Sequence, residues 1–217
     1  MPSILAIDTL GRETTVACIV DDSVYSISMP TTKHADTVGD CLRALAKEYV
    51  ISFNSMDFIV ANIGPGSFTG LRVGLASIQA IAWASSSPVW PVSHLSGLAY
   101  QVHWSSVLQR DVLAHKLTNI ALEAIAWPSI EYHVAIDARM QEAYSATYQA
   151  SHAFLEVQTP DKLLPLTALS HESSKNSVYV GDAWSEHILT SSYHFTWSEV
   201  MVMVAKPPND HPYIPYQ

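Results

Sequence analysis

The stretch ILAIDTLGRETTVACIV, residues 4–20, sets the terms of the fold. Ile4 to Ile7 is a continuous apolar run ending in Asp8-Thr9, the pattern of a strand buried on both faces with its polar end at a sheet edge or crevice. Gly11-Arg12-Glu13 reads as a turn, and the β-branched run Thr14 to Val20 as the next strand. Asp21-Asp22-Ser23 marks a further turn and Val24 to Met29 a third strand, so the chain opens as an antiparallel meander. The same grammar returns in HVAIDARMQEAYSATYQ, residues 133–149. Asp137 stands 129 positions after Asp8 (137 − 8), and Glu142 stands 129 after Glu13 (142 − 13). Phe154 to Val157 falls where a third strand belongs. A strand, an acidic strand end, a turn and a second strand at one offset predict an internal duplication.

Between the two copies the pattern alternates helix and strand. Ala35, Val38, Leu42, Leu45 and Tyr49 recur at helical spacing and predict an amphipathic helix from Lys33 to Tyr49. Met56 to Ile63 reads as a strand, a helix follows to Ser85, Val89 to Val92 is a strand, and a helical region begins near His94. After the second meander come a strand at Ser177 to Val180, a turn at Gly181-Asp182, a short helix and the proline-rich tail KPPNDHPYIPYQ. The fold class is α/β, with a subdomain boundary expected within residues 104–128.

Composition narrows the function. The chain has 217 residues, 48% of them hydrophobic, enough for one large core or two small ones. Twenty acidic residues against 11 basic give a formal charge of −9, which lacks the basic footprint of an autonomous nucleic-acid binder. A nucleic-acid role would need a basic partner. Cys18 and Cys41 make no disulfide framework and fit a reducing compartment. MPSILAIDT is too short an apolar run for a signal-peptide core, and no run reaches the ~18 residues of a membrane span. The expectation is a soluble, cytoplasmic protein with no membrane partner.

GPGSFTG, residues 64–70, precedes an apolar helical pattern and invites a phosphate-loop reading. Spacing rejects it. A Walker A loop counted from Gly64 meets Thr69 at its second glycine and Gly70 at its lysine, and the dinucleotide fingerprint meets Thr69 at its third glycine. What remains is a Gly-Pro-Gly turn, a Ser or Thr able to cap a helix, and helix N–H groups able to meet an anion. Leu71, Leu75, Ile78 and Ala82 form one apolar stripe of that helix, and Gly70, Gly74 and Ser77 a second face of small side chains. Each mid-helix glycine costs ~1 kcal/mol relative to alanine, so a pair one turn apart implies close approach by another element. That element is either this chain's own sheet or first helix, or another subunit.

ILAIDT at 4–9, GPGSFTGLRVG at 64–74 and AIDARMQEAY at 135–144 give the sequence its resemblance to the TsaB (YeaZ) family of the bacterial tRNA threonylcarbamoyladenosine pathway. The likeness spans most of the chain in order. It implies an actin-like or sugar-kinase-like ATPase (ASKHA) fold of duplicated ribonuclease-H-like subdomains. Residues 1–110 would be the N-terminal subdomain with the partner-binding helices, and 111–217 the smaller C-terminal subdomain with its tail. It further implies a paralogue of the catalytic subunit TsaD, joined to it as a heterodimer. The implied interface comprises His34, Gly66, Ser67, Phe68, Thr69, Gly70, Arg72, Gly74 and Ser77. Asp8, Thr9, Asp137, Arg139 and Glu142 match positions of a nucleotide or shared site. On this reading the chain alone holds no cofactor tightly, and ATP or ADP with magnesium enters in the complex. A TsaE-type ATPase and a second copy of the chain are further expected partners, and tRNA is reached only through the complex.

Catalysis by the chain itself is not expected. TsaD-type relatives carry a His-x-x-x-His pair on the helix after the strand matching Val89 to Val92, two imidazoles able to hold a metal. Here His94 is followed by Leu98, and none of the other histidines lies four residues from another. His94 reads as structural, and no metal site is expected. Ser67 lacks the nucleophile elbow Gly-x-Ser-x-Gly. Arg139 and Glu142 also read as a plain turn ion pair, and His34 as a cap or a solvent-facing residue. The leading expectation is a non-catalytic scaffold for the TsaD-type subunit. Its rivals are an actin-like-fold kinase or phosphohydrolase using Asp8 and Asp137, and a metallopeptidase. Residues 111–131 match no motif of the family, and HPYIPYQ lacks the arginine that relatives commonly carry near the end.

Overall fold

The opening meander forms as its alternation of strand and turn residues dictates. The structure, a computed structural model, describes residues 2–21, 23–31, 34–103, 129–151, 154–170, 176–184 and 201. β1 (Ile4–Asp8) pairs antiparallel with β2 (Glu13–Val20), from Ile4 opposite Ile19 to Asp8 opposite Thr15. β2 pairs antiparallel with β3 (Ser23–Pro30). After α1 (His34–Tyr49), β4 (Phe58–Asn62) joins β1 in parallel. After α2 (Phe68–Ser85), β5 (Val89–Val92) joins β4 in parallel, giving the sheet order β3-β2-β1-β4-β5.

β1 and β4 are buried on both faces, which is why they read as unbroken apolar runs. Leu5, Ile7, Val16, Cys18 and Ile59 meet Val38, Cys41 and Leu45 of α1 and Ile78 of α2 in one core. Of the stripe expected on α2, Ile78 lies in that core, Leu75 and Ala82 pack against it, and Leu71 rests over Gly64. Tyr49 is exposed at the end of α1, its ring 4.7 Å from that of Tyr25.

The second copy repeats the first. α3 (residues 94–103 as described) precedes β6 (Glu131–Arg139), which pairs antiparallel with β7 (Glu142–Ser151). β7 pairs antiparallel with β8 (Phe154–Pro165), and β9 (Ser177–Val180) joins β6 in parallel. The order β8-β7-β6-β9 is the order β3-β2-β1-β4 again. Leu95, Ala99 and Val102 of α3 pack on Tyr132, Val134, Ala146, Tyr148 and Val180. A smaller cluster of Ala135, Tyr179 and Trp184 is tied by a hydrogen bond from Trp184 Nε1 to Val180 O of 3.1 Å. β8 extends well beyond Val157, with irregular register opposite Ser145 to Tyr148.

The two hairpins differ at their mouths. An unshifted copy of Asp8–Thr15 would set Asp137 opposite Tyr144; Asp137 instead faces Ala143, and a bulge before Arg139 brings it opposite Glu142. The chain divides into two compact units, Met1–Val92 with Thr196–Gln217, and Ser93–Phe195. The division thus falls before α3, whereas the sequence places it at 110–111; α3 packs on the second sheet. The expected boundary segment 104–128, most of 111–131, the short helix after Asp182 and the tail lie outside the described residues. No helix among the described residues is long and apolar enough to cross a membrane.

Candidate functional site: the strand-end corner and the outer face of the second helix

The C-terminal end of β1 and the Gly-Pro-Gly turn build one corner. Asp8, 6% exposed, accepts hydrogen bonds at Oδ1 from the Leu10 N–H (3.0 Å) and from Asn62 Nδ2 (2.9 Å). Asn62 Oδ1 in turn accepts from the Gly64 N–H at 3.0 Å. Gly64 has φ 84°, a left-handed conformation that glycine takes without steric cost. Ser67 caps α2 as its position predicts, its Oγ accepting from the Gly70 N–H at 3.3 Å.

The small-residue face of α2 turns inward. A Cβ on Gly70 would lie 2.2 Å from the carbonyl oxygen of Thr9, and one on Gly74 would lie 2.5 Å from Thr9 Oγ1. Both glycines are buried, so the close approach they signal is to the end of this chain's own first strand. Thr9 is 2% exposed, and its hydroxyl donates to the Gly70 carbonyl at 2.7 Å. Ser77 donates to Val73 O at 2.8 Å.

The opposite side of the helix is open. Gly66, Ser67, Phe68, Thr69 and Arg72 are exposed, and the Arg72 guanidinium lies 3.9 Å from the centre of the Phe68 ring. Phe68 is 67% exposed, and Trp83 near the far end of α2 is 89% exposed. Trp83 is absent from the interface expected from the sequence, which ends at Ser77; its signal is an aromatic residue off the apolar stripe. His34 begins α1, and its side chain lies outside the described set.

The second copy has its own corner. Asp137 Oδ1 accepts from the Arg139 N–H at 2.8 Å, the same two-residue step as Asp8 to Leu10. The Asp137 N–H donates to Asp182 Oδ1 at 2.8 Å. Arg139 and Glu142 face each other across the hairpin, yet among the described residues they form no ion pair. Arg139, Met140 and Gln141 all have left-handed φ, at 66°, 53° and 65°, and Met140 at the tip is 93% exposed.

At the start of α3, Ser93 is the capping residue. Its Oγ accepts from the N–H groups of Leu95 (3.1 Å) and Ser96 (3.4 Å) and donates to Asp161 Oδ2 at 2.5 Å. Leu98, where a second histidine would stand in a metal pair, packs against the second core. Among the described residues no group of three or more His, Cys, Asp or Glu side chains is placed to hold a metal ion.

Residues 28–114, from β3 through α3, match the family model of TsaD, tRNA N6-adenosine threonylcarbamoyltransferase. The chain is 23% identical over 208 residues to the tRNA threonylcarbamoyladenosine biosynthesis protein TsaB of Haemophilus influenzae, covering 91% of this chain and 79% of that protein. It is 24% identical over 127 residues to the tRNA N6-adenosine threonylcarbamoyltransferase of Limosilactobacillus reuteri, covering 58% of this chain and 37% of the enzyme. Among solved structures it is similar to YeaZ from Pseudomonas aeruginosa, with a TM-score of 0.64 and 26% identity over 80% of this chain and 72% of that one. The fold is of the actin-like, ribonuclease-H-like kind, in agreement with the repeated meander.

Proposed function

We propose that the chain, similar over most of its length to TsaB and YeaZ proteins, serves tRNA threonylcarbamoyladenosine synthesis as a non-catalytic subunit docking a TsaD-type transferase. The observation that carries this reading is the outer face of α2, where Phe68, Arg72 and Trp83 stand exposed on a helix whose inner face is fixed to β1. Large aromatic residues and arginine dominate binding energy at protein interfaces.

The corner supports the same reading. Asp8 and Thr9 hold Leu10, Asn62 and Gly70. On this reading nucleotide and magnesium act in the assembled complex, which a TsaE-type ATPase joins, and tRNA is bound by the complex. A second copy of the chain competes for the α2 face when the TsaD-type subunit is absent. The test is threonylcarbamoyl transfer to tRNA by purified TsaD-type subunit with and without this chain, and with a Phe68→Ala, Trp83→Glu variant.

A further inference from the structure

The sequence counts Thr9 among the nucleotide-site candidates, but its surroundings give it a different task. A helix turns about 100° per residue, so Phe68 and Arg72 each lie about 200° from Gly70 and point away from β1. Whatever fixes Gly70 and Gly74 therefore fixes the direction in which Phe68 and Arg72 face. Thr9 fills the space that a side chain at either glycine would occupy, 2.2 Å and 2.5 Å from the two Cβ positions. Its hydroxyl is buried and donates to the carbonyl of Gly70, in the first turn of α2. The threonine is itself held from behind. Leu10 lies 3.1 Å from the Cβ position of Gly66, and the Leu10 N–H is bound to Asp8, which is bound to Asn62.

We propose that Thr9 is a positioning residue for docking: its buried hydroxyl sets the height and rotation of α2, so that Phe68, Arg72 and Trp83 are presented to the partner already in place. A preorganised surface loses less on binding than one that must first order itself. This inference rests on the reading that the outer face of α2 receives the TsaD-type subunit.

Thr9→Val keeps the shape and removes the donor; Thr9→Ser keeps the donor and removes the methyl. Amide hydrogen exchange of the isolated chains and calorimetric titration with the TsaD-type subunit read the two consequences separately. Thr9→Val is expected to speed exchange within residues 66–76 while leaving β6 and β7 unchanged. It should weaken binding about three- to tenfold, the span of one hydrogen bond. Thr9→Ser should restore both toward wild type. Equal impairment in both variants, or none in Thr9→Val while the wild-type chain binds, would overturn the role of Thr9 and leave docking intact. Failure of the wild-type chain to bind would overturn the docking reading itself, whatever the exchange pattern.

Discussion

Gln141 occupies the second central position of the β6–β7 turn at φ 65°, following Arg139 and Met140 in the same left-handed region. For a residue with a Cβ that conformation costs roughly 1–2 kcal/mol, whereas glycine adopts it freely and loses about 0.5–1 kcal/mol of chain entropy instead. Gln141→Gly is therefore expected to raise stability by about 0.5–1 kcal/mol, read as a higher urea midpoint at unchanged m-value. An unchanged or lower midpoint would mean that this turn carries no strain. The two thiols make a second prediction. Burial pushes Cys18 up to about 12 and Cys41 up to about 11, with Asp40 adding to the rise at Cys41, whose Sγ lies 3.6 Å from Thr14 O. The folded-state values exceed the ordinary value of 9.0, so both groups contribute stability below pH 9 that is lost as pH rises from 9 toward 11 and 12. Alkaline denaturation should begin in that window in the wild type, with an aromatic disulfide reagent reacting only as the chain unfolds; full reaction of both thiols with the folded chain at about pH 8 would contradict their burial. At this scale the sequence marks the right residues and not their duties. Asp8 and Thr9 stand out as a polar strand end, but only the fold shows that their partners are Leu10, Asn62 and Gly70, all but Leu10 more than 50 positions away.

The helix α2 shows what pattern alone leaves open. Glycines one turn apart announce a close approach, and the periodicity gives the face on which it occurs. Neither says whether the neighbour is a strand of the same chain or another subunit. The backbone of β1 decides it, because Thr9 O lies where a Gly70 side chain would begin. Gly70→Ala is accordingly expected to cost about 1–3 kcal/mol in a urea titration, since backbone must shift to make room. Trp83→Ala, on the exposed side, should stay within about 0.5 kcal/mol of wild type. The opposite ranking would mean that the inner and outer faces of α2 are exchanged. The strands were easier to read. β1, β4 and β9 are short apolar runs with polar ends and lie within a residue or two of their expected bounds. β8 was not, because only Phe154 to Val157 reads as a strand in the sequence, whereas the paired strand continues to Pro165 through register shifts opposite β7.

Across the whole molecule the duplication read from one offset survives as repeated sheet order, β3-β2-β1-β4 and β8-β7-β6-β9. The two copies have diverged where chemistry would reside. The first corner ties Asp8 to Asn62 and hands Thr9 to the helix. The second lengthens its hairpin by a bulge and exposes Met140 at the tip. A fold of this kind hosts many functions, so the functional argument rests on those corners and on the open face of α2 rather than on the architecture. The most direct test of that argument is threonylcarbamoyl transfer to tRNA by four purified mixtures: this chain, the TsaD-type subunit, both, and the subunit with the Phe68→Ala, Trp83→Glu variant. The account predicts transfer only when both wild-type proteins are present, with loss in the variant mixture although the variant melts like wild type. Transfer by the TsaD-type subunit at full rate without this chain, or by this chain alone, would contradict it.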